Sequence, residues 1–276
     1  MHLEPAHRAD TRRPPRSRRR TRVGVALTTA LAGVLLAACG SGEGDDERER
    51  ASSAPGKEGA DLRLLWLGDS VAGVQAPALE AAMDASGVTF EDLSSTGGGT
   101  VVASDEVAEL ADATWESLRS RVDSFAPDVI AYQLTTYDWG TPEQQRDAYT
   151  RLATTARDAG AALLLVTAPP VTVDEFLAPH AEEMATAPES AEAVAAAAES
   201  GVHFLDAADL WGTDPEAGAA MRSADGIHSC QQGAAAFATW FGERLGALHD
   251  TTPAAPEEWA TGSWTADERF SQLGCE

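Results

Sequence analysis

The chain has 276 residues, 20 of them basic and 44 acidic, for a formal net charge of −24 at pH 7. Eight arginines but only two acidic residues precede Cys39, so the remainder holds 12 basic and 42 acidic residues, a formal charge of −30. Such a surface repels phosphate backbones and anionic headgroups, which argues against nucleic acid as a partner.

The amino terminus reads as a targeting segment. Arg12 to Arg22 is strongly basic, and Val23 to Ala38 is an apolar run of 16 residues, short for a membrane span and right for a signal-peptide core. It ends in Leu36-Ala37-Ala38-Cys39, followed by Gly40 and Ser41. This resembles the lipobox of bacterial lipoproteins, in which Cys39 is lipidated and becomes the first mature residue. A plain secretory signal is the alternative, and either the general secretory or the twin-arginine route is open. Residues 1–38 are thus expected to be a signal peptide and 39–60, rich in Gly, Ser and charge, a flexible acidic tether. The expected location is extracytoplasmic, on the membrane through the lipid anchor. Two further cysteines, Cys230 and Cys275, are expected to pair in an exported protein.

Residues 61–250 alternate short apolar runs with helix-like segments, the pattern of a three-layer α/β domain. The first strand, 62–67, ends at Gly68-Asp69-Ser70, and a helix is predicted over 73–86. A hydroxyl at such a strand-to-helix corner stands at the carboxyl end of the strand, where open α/β sheets bind ligands. The helix's first N–H groups lie beside it, unpaired and suited to an oxyanion. Val88 to Leu93 is the second strand and runs into Ser94 to Gly99, whose three glycines permit close backbone approach.

A helix over Asp112 to Phe125 leads to a third strand, Asp128 to Leu134, and then to Thr135-Thr136-Tyr137-Asp138-Trp139. Trp139 is a candidate substrate contact. A helix from Pro142 to about Asp158 precedes a buried fourth strand, Ala161 to Thr167. Two helices, Asp174 to Ala185 and Glu189 to Ser200, are predicted before a fifth strand, Val202 to Asp206. His180 reads as a solvated helix residue. Ala207 to Ala224 reads as irregular, and the last helix covers about Gln231 to Leu248. Residues 251–276, with Trp259 and Trp264, are expected to lie on the domain surface, secured through Cys275.

Asp225 and His228 stand three apart just before that last helix. The spacing lets a carboxylate hold one imidazole nitrogen while the other faces a serine, which needs such a base to attack at neutral pH. The six histidines show no His-Glu-x-x-His or paired ligand spacing, so neither a metal nor another cofactor is expected.

Gly68-Asp69-Ser70 near the domain start, a glycine after the second strand, and Asp225-x-x-His228 before the final helix together resemble the SGNH (GDSL) hydrolases. The resemblance implies a flavodoxin-like α/β/α fold with five parallel strands. It also implies Ser70 as nucleophile, His228 as base, Asp225 as its orienter, and the Ser70 and Gly97 amides as oxyanion donors. The family's usual Gly-x-Asn-Asp segment is absent after the third strand, so Tyr137 or, with a one-residue slip, Thr136 stands where the asparagine donor belongs. One such donor is worth about 3–4 kcal/mol in the transition state.

The expected function is a monomeric serine esterase cleaving small acyl esters, O-acetyl groups on carbohydrate among them. An O-acyltransferase with the same triad, and a non-catalytic domain binding a surface glycan or protein, are the alternatives.

Overall fold

The computed structural model describes residues 62–215, 218 and 221–275. The expected signal segment, Cys39 and the tether lie outside them. Five parallel strands form the sheet: β1 (Arg63–Leu67), β2 (Thr89–Asp92), β3 (Val129–Gln133), β4 (Ala162–Val166) and β5 (Val202–Leu205), in the order β2-β1-β3-β4-β5. Register runs Leu67 to Tyr132 and Gln133 to Val166 across the centre. The helices are α1 (Ser70–Ala85), α2 (Ala108–Phe125), α3 (Pro142–Ala159), α4 (Ala181–Ala197), α5 (Ala208–Trp211), α6 (Gln231–His249), α7 (Pro256–Trp259) and α8 (Glu268–Gln272). No helix among the described residues is long and apolar enough to cross a membrane.

Alternation along the strands makes two cores. Leu64 and Trp66 of β1 face α1 and α6, meeting Leu79, Phe237 and Phe241. Leu65 and Leu67 face the other way, toward Trp115 and Leu118 of α2 and Tyr149 and Leu152 of α3. All four β1 residues are fully or almost fully buried, each burial contributing about 1.5–3 kcal/mol. The connection from β1 leaves on one face and that from β3 on the other. The sheet therefore has its topological switch point between β1 and β3, and a crevice opens there at the carboxyl ends.

Several boundaries differ from the sequence reading. Helix α1 starts at Ser70 rather than 73, because Asp69 caps it. Pro77 lies inside α1, and the Gly73 carbonyl, which a residue-77 N–H would otherwise engage, accepts from Arg269 of α8. Only the last part of the expected Asp174–Ala185 helix is α-helical, as the start of α4; Asp174 caps a turn that closes in a 3₁₀ turn at Ala178–His180. Helix α4 then runs unbroken through Pro188. It holds because Ala187, Ser190, Ala191 and Val194 are buried, and Gln145 of α3 donates to the Glu183 carbonyl at 2.7 Å.

The carboxyl-terminal segment lies along the domain surface, mostly exposed or half-buried, and is anchored by two side chains. Trp259 and Phe270 are buried in the same core as Trp66 and Met83, and the Gln231 side chain donates to the Thr265 carbonyl at 3.2 Å.

Candidate active site

Gly68, Asp69 and Ser70 form the corner after β1. A Cβ at Gly68 would lie 2.4 Å from the Ala72 Cβ, so only glycine lets the chain fold back this tightly. Asp69 then fixes the corner. Its Oδ1 accepts from the Val71 N–H at 2.9 Å, and its Oδ2 from the Thr136 N–H at 2.8 Å and the Thr136 hydroxyl at 2.6 Å. Burial pushes this carboxyl above its ordinary value; the Thr136 and Val71 donors, and His228 nearby, oppose the rise. The two sides of the switch-point crevice are thus tied together at the residue before Ser70.

His228 arrives on a short hairpin ahead of α6. The Ser223 N–H donates to the His228 carbonyl at 2.8 Å, and the Cys230 N–H to the Met221 carbonyl at 2.8 Å. Gly226 turns the hairpin at φ +72°, and a Cβ there would meet the Thr172 Oγ1 at 2.7 Å. The Thr172 N–H donates to the Gly226 carbonyl at 2.9 Å, so the segment after β4 clasps the hairpin tip.

Within this loop, Asp225 Oδ1 accepts from the Ser223 hydroxyl at 2.7 Å and from the N–H groups of Ile227 at 2.8 Å and His228 at 3.0 Å. Its Oδ2 lies 2.7 Å from His228 Nδ1, and His228 Nε2 lies 2.8 Å from the Ser70 Oγ. Ser70, His228 and Asp225 therefore form one hydrogen-bonded chain. Partial burial raises the Asp225 carboxyl, but the Ser223 hydroxyl, the His228 ring and the two N–H groups outweigh it and hold the group at about 2. An ionised Asp225 accepts, so Nδ1 carries the proton and Nε2 is left to accept from the Ser70 hydroxyl.

The residues considered for an oxyanion site divide. Gly97 sits on an exposed turn tied to the corner by the Ser95 N–H, which donates to the Gly68 carbonyl at 3.0 Å. The Thr136 hydroxyl is engaged by Asp69. The phenol end of Tyr137 lies over that same turn, its Cζ 3.0 Å from where a Gly98 Cβ would stand. Burial, then Asp69 and Asp174, raise its pKa above 10.0, which keeps it a hydrogen-bond donor at neutral pH.

Trp139 is 6% exposed and donates its indole N–H to the Thr136 carbonyl at 2.7 Å, so it supports the segment from behind and does not face substrate. His180 is not solvated either. It stacks on Trp139 with centroids 3.7 Å apart, between Glu183 at 2.9 Å and Glu106 at 3.3 Å.

Asp138 proves to be a structural centre. Fully buried, it accepts from the hydroxyls of Thr100 (2.7 Å), Tyr132 (2.6 Å), Tyr149 (2.8 Å) and Thr135 (2.9 Å). Burial pushes its carboxyl up, against the pull of those donors. These partners come from four separate places in the chain, 3, 6, 11 and 38 residues from Asp138, so no local pattern announces the cage. Ser223 two residues before Asp225 is a readable hydroxyl-carboxylate turn pattern. Thr172, by contrast, leaves no sequence signal.

The expected Cys230–Cys275 disulfide is present, two residues beyond His228. Among the described residues, no group of three or more His, Cys, Asp or Glu side chains is placed to hold a metal ion.

A five-stranded parallel α/β/α sandwich with a serine-histidine-aspartate chain at its switch point defines the class of architecture. Among solved structures, the chain is similar to a candidate SGNH hydrolase from Slackia heliotrinireducens (TM-score 0.53, 18% identity, covering 68% of this chain and 100% of that one). It is similar also to a carbohydrate acetylesterase family member from Sinorhizobium meliloti (TM-score 0.51, 18% identity, 68% and 98% covered). A third likeness is to a GDSL-like lipase from Bacteroides thetaiotaomicron (TM-score 0.50, 12% identity, 67% and 88% covered). No family model and no curated protein matches the sequence. The chain has the SGNH-hydrolase fold, in a form far diverged in sequence.

Proposed function

We propose that the protein is a serine esterase that removes small acyl groups. The observation that carries this reading is the chain from Ser70 Oγ through His228 to Asp225, with links of 2.8 and 2.7 Å. The Ser70 oxygen attacks the ester carbonyl as its proton passes to His228 Nε2, and Asp225 stabilises the resulting imidazolium. The imidazolium then protonates the leaving alcohol. Water, deprotonated in turn by His228, releases the acid from the acyl-serine; a second hydroxyl in place of water makes the same site an acyltransferase.

The N–H groups of Ser70 and Gly97 supply two oxyanion donors. Tyr137 supplies the third, since the Thr136 hydroxyl is held by Asp69. With a phenol in place of an amide, the oxyanion is held less tightly than in a complete site. The protein acts outside the cytoplasm, anchored through a lipid on Cys39.

Turnover of p-nitrophenyl acetate by the full chain tests the reading, with Ser70→Ala and Tyr137→Phe beside it. Ser70→Ala abolishes turnover, and Tyr137→Phe lowers kcat about 100-fold, as loss of one oxyanion donor does. Equal turnover by wild type and Ser70→Ala overturns it. Hydrolysis that stops at the free acid marks an esterase, and acyl groups recovered on an added alcohol mark a transferase.

A further inference from the structure

Four large apolar side chains stand out among the described residues as exposed: Val173, Phe176, Met221 and Leu248. Two of them, Val173 at 47% and Phe176 at 56% exposed, occupy the segment between β4 and α4 whose Thr172 clasps the His228 hairpin. Exposed apolar groups that cluster mark a binding surface more often than scattered ones do.

Phe176 is not a loose loop residue. Asp174 Oδ1 accepts from the N–H groups of Phe176 at 3.0 Å and Leu177 at 2.9 Å, which fixes the backbone that presents the ring. The ring centroid lies 6.0 Å from that of Tyr137 and 5.7 Å from that of Trp139, both in tilted arrangements. Trp139 is itself pinned by its indole bond to Thr136 and by the stacked His180. One side of the ring is therefore held in place, and more than half of its surface faces water.

The position relative to the chemistry is defined at two ends. Tyr137 lies against Gly98, one residue from Gly97. Ile227, next to His228, packs against the same small apolar cluster, which includes Trp139, Leu177 and Tyr137. Tyr137 thus lies between the glycine turn and the cluster that holds Ile227, and Phe176 stands against its ring.

We infer that Phe176 and the Tyr137 ring are a stacking platform for the sugar ring of an O-acylated carbohydrate, and so determine specificity on the alcohol side of the ester. This rests on the esterase reading and names its substrate class. The chemistry favours a sugar over a hydrocarbon chain. A pyranose has one face of C–H groups that settles on the electron-rich face of an aromatic ring, and an edge of hydroxyls. Phe176 supplies the first kind of surface. The flanking carboxylates of Asp174 and exposed Glu175 supply acceptors for the second.

An acyl chain instead requires an enclosed apolar slot. A cleft of about 600 Å³ reaches Thr136, lined by Leu134, Val171, Val173, Met184 and Ala187, but it is open to solvent and not an enclosed slot. Phe176 is not part of its wall.

The test compares wild type, Phe176→Ala and Phe176→Trp full-length protein on three esters: p-nitrophenyl acetate, p-nitrophenyl octanoate and chemically O-acetylated xylo- and cello-oligosaccharides. Phe176→Ala raises KM for the acetylated oligosaccharides about 3- to 10-fold, the value of one aromatic contact, with kcat nearly unchanged. Phe176→Trp restores KM, and neither variant alters p-nitrophenyl acetate turnover.

Equal effects on all three esters, or an effect confined to the octanoate, overturn the platform while leaving the esterase reading intact. If wild type cleaves no ester at all, the esterase reading fails, and binding decides the platform separately. Saturable binding of the acetylated oligosaccharides in titration calorimetry, present in Ser70→Ala and lost in the Ser70→Ala/Phe176→Ala double variant, upholds it. No binding in Ser70→Ala refutes it.

Discussion

Removing the Cys230–Cys275 disulfide should lower stability far more than activity. The bridge closes a loop of sequence separation 45. In the chain-entropy model, cross-linking a loop of that length disfavours the unfolded state by about 4 kcal/mol. For a folded part of this size each kcal/mol moves the thermal midpoint by about 2–4 °C, so the expected drop is about 8–16 °C. The native tail has other attachments: buried Trp259 and Phe270, the Gln231 bond to Thr265, and Arg269 on the Gly73 carbonyl. The His228 hairpin likewise keeps its own bonds to Ser223 and Thr172. The loss therefore falls on the unfolded chain, and ester turnover at 25 °C should stay within about twofold. The assay is calorimetry and p-nitrophenyl acetate turnover on the Cys230→Ser/Cys275→Ser variant, which leaves neither partner as a free thiol. A midpoint within 2 °C of wild type would refute the loop-closure reasoning. A tenfold loss of turnover at an unchanged midpoint would show that the bridge holds the base and not the fold.

Other perturbations follow from the same contacts. Thr136→Val deletes the 2.6 Å hydroxyl bond to buried Asp69 and should cost about 1.5–3 kcal/mol, a midpoint drop of about 3–12 °C in calorimetry. A drop below 1 °C would mean that Asp69 is satisfied without it. Arg269→Met strands the Gly73 carbonyl beside Pro77 and should lower the urea midpoint. Adding Pro77→Ala, which supplies the missing N–H, should recover part of the loss; no recovery contradicts the pairing.

Thermal midpoint against pH has a definite sign. Asp69 and Asp138 titrate higher when folded than their ordinary 3.8, so their ionisation opposes folding, and stability from them is regained as pH falls toward 3.8. Asp225, held at about 2, stabilises above 3.8 and loses that contribution between 3.8 and 2. Above pH 4 half-buried His249, held below its ordinary 6.5, gains stability with rising pH and opposes the two buried aspartates, so the change with a settled sign is a decline in the midpoint between pH 4 and 2 as Asp225 is protonated. A midpoint that does not fall between pH 4 and 2 would contradict it.

The sheet was readable because most of its strands are short apolar runs between helix-like segments, and runs such as Ala161 to Thr167 suit a strand covered on both faces. The Ser70, Asp225 and His228 chain was readable because its two ends carry local spacings. What escaped was whatever depends on a partner distant in sequence. The sequence reading breaks the chain between Ala185 and Glu189, whereas burial of Ala187 and Ala191 carries one helix through Pro188. The expected helix over 73–86 includes Pro77, but that Arg269, 196 residues from Gly73, supplies a donor to the freed carbonyl has no local signal. The family resemblance, with a one-residue slip, makes Thr136 an oxyanion candidate, but Asp69, 67 residues away, takes its hydroxyl. Phe176 had no pattern at all; its meaning comes from which rings stand beside it.

The most direct measurement of the central claim is where a serine-directed covalent probe lands. Full-length protein treated with a fluorophosphonate and digested should carry the adduct on the peptide containing Ser70. Labelling should fall at least 100-fold in His228→Gln, because the hydroxyl has lost the base 2.8 Å away. An adduct on another residue, or undiminished labelling of Ser70 in His228→Gln, would contradict the account.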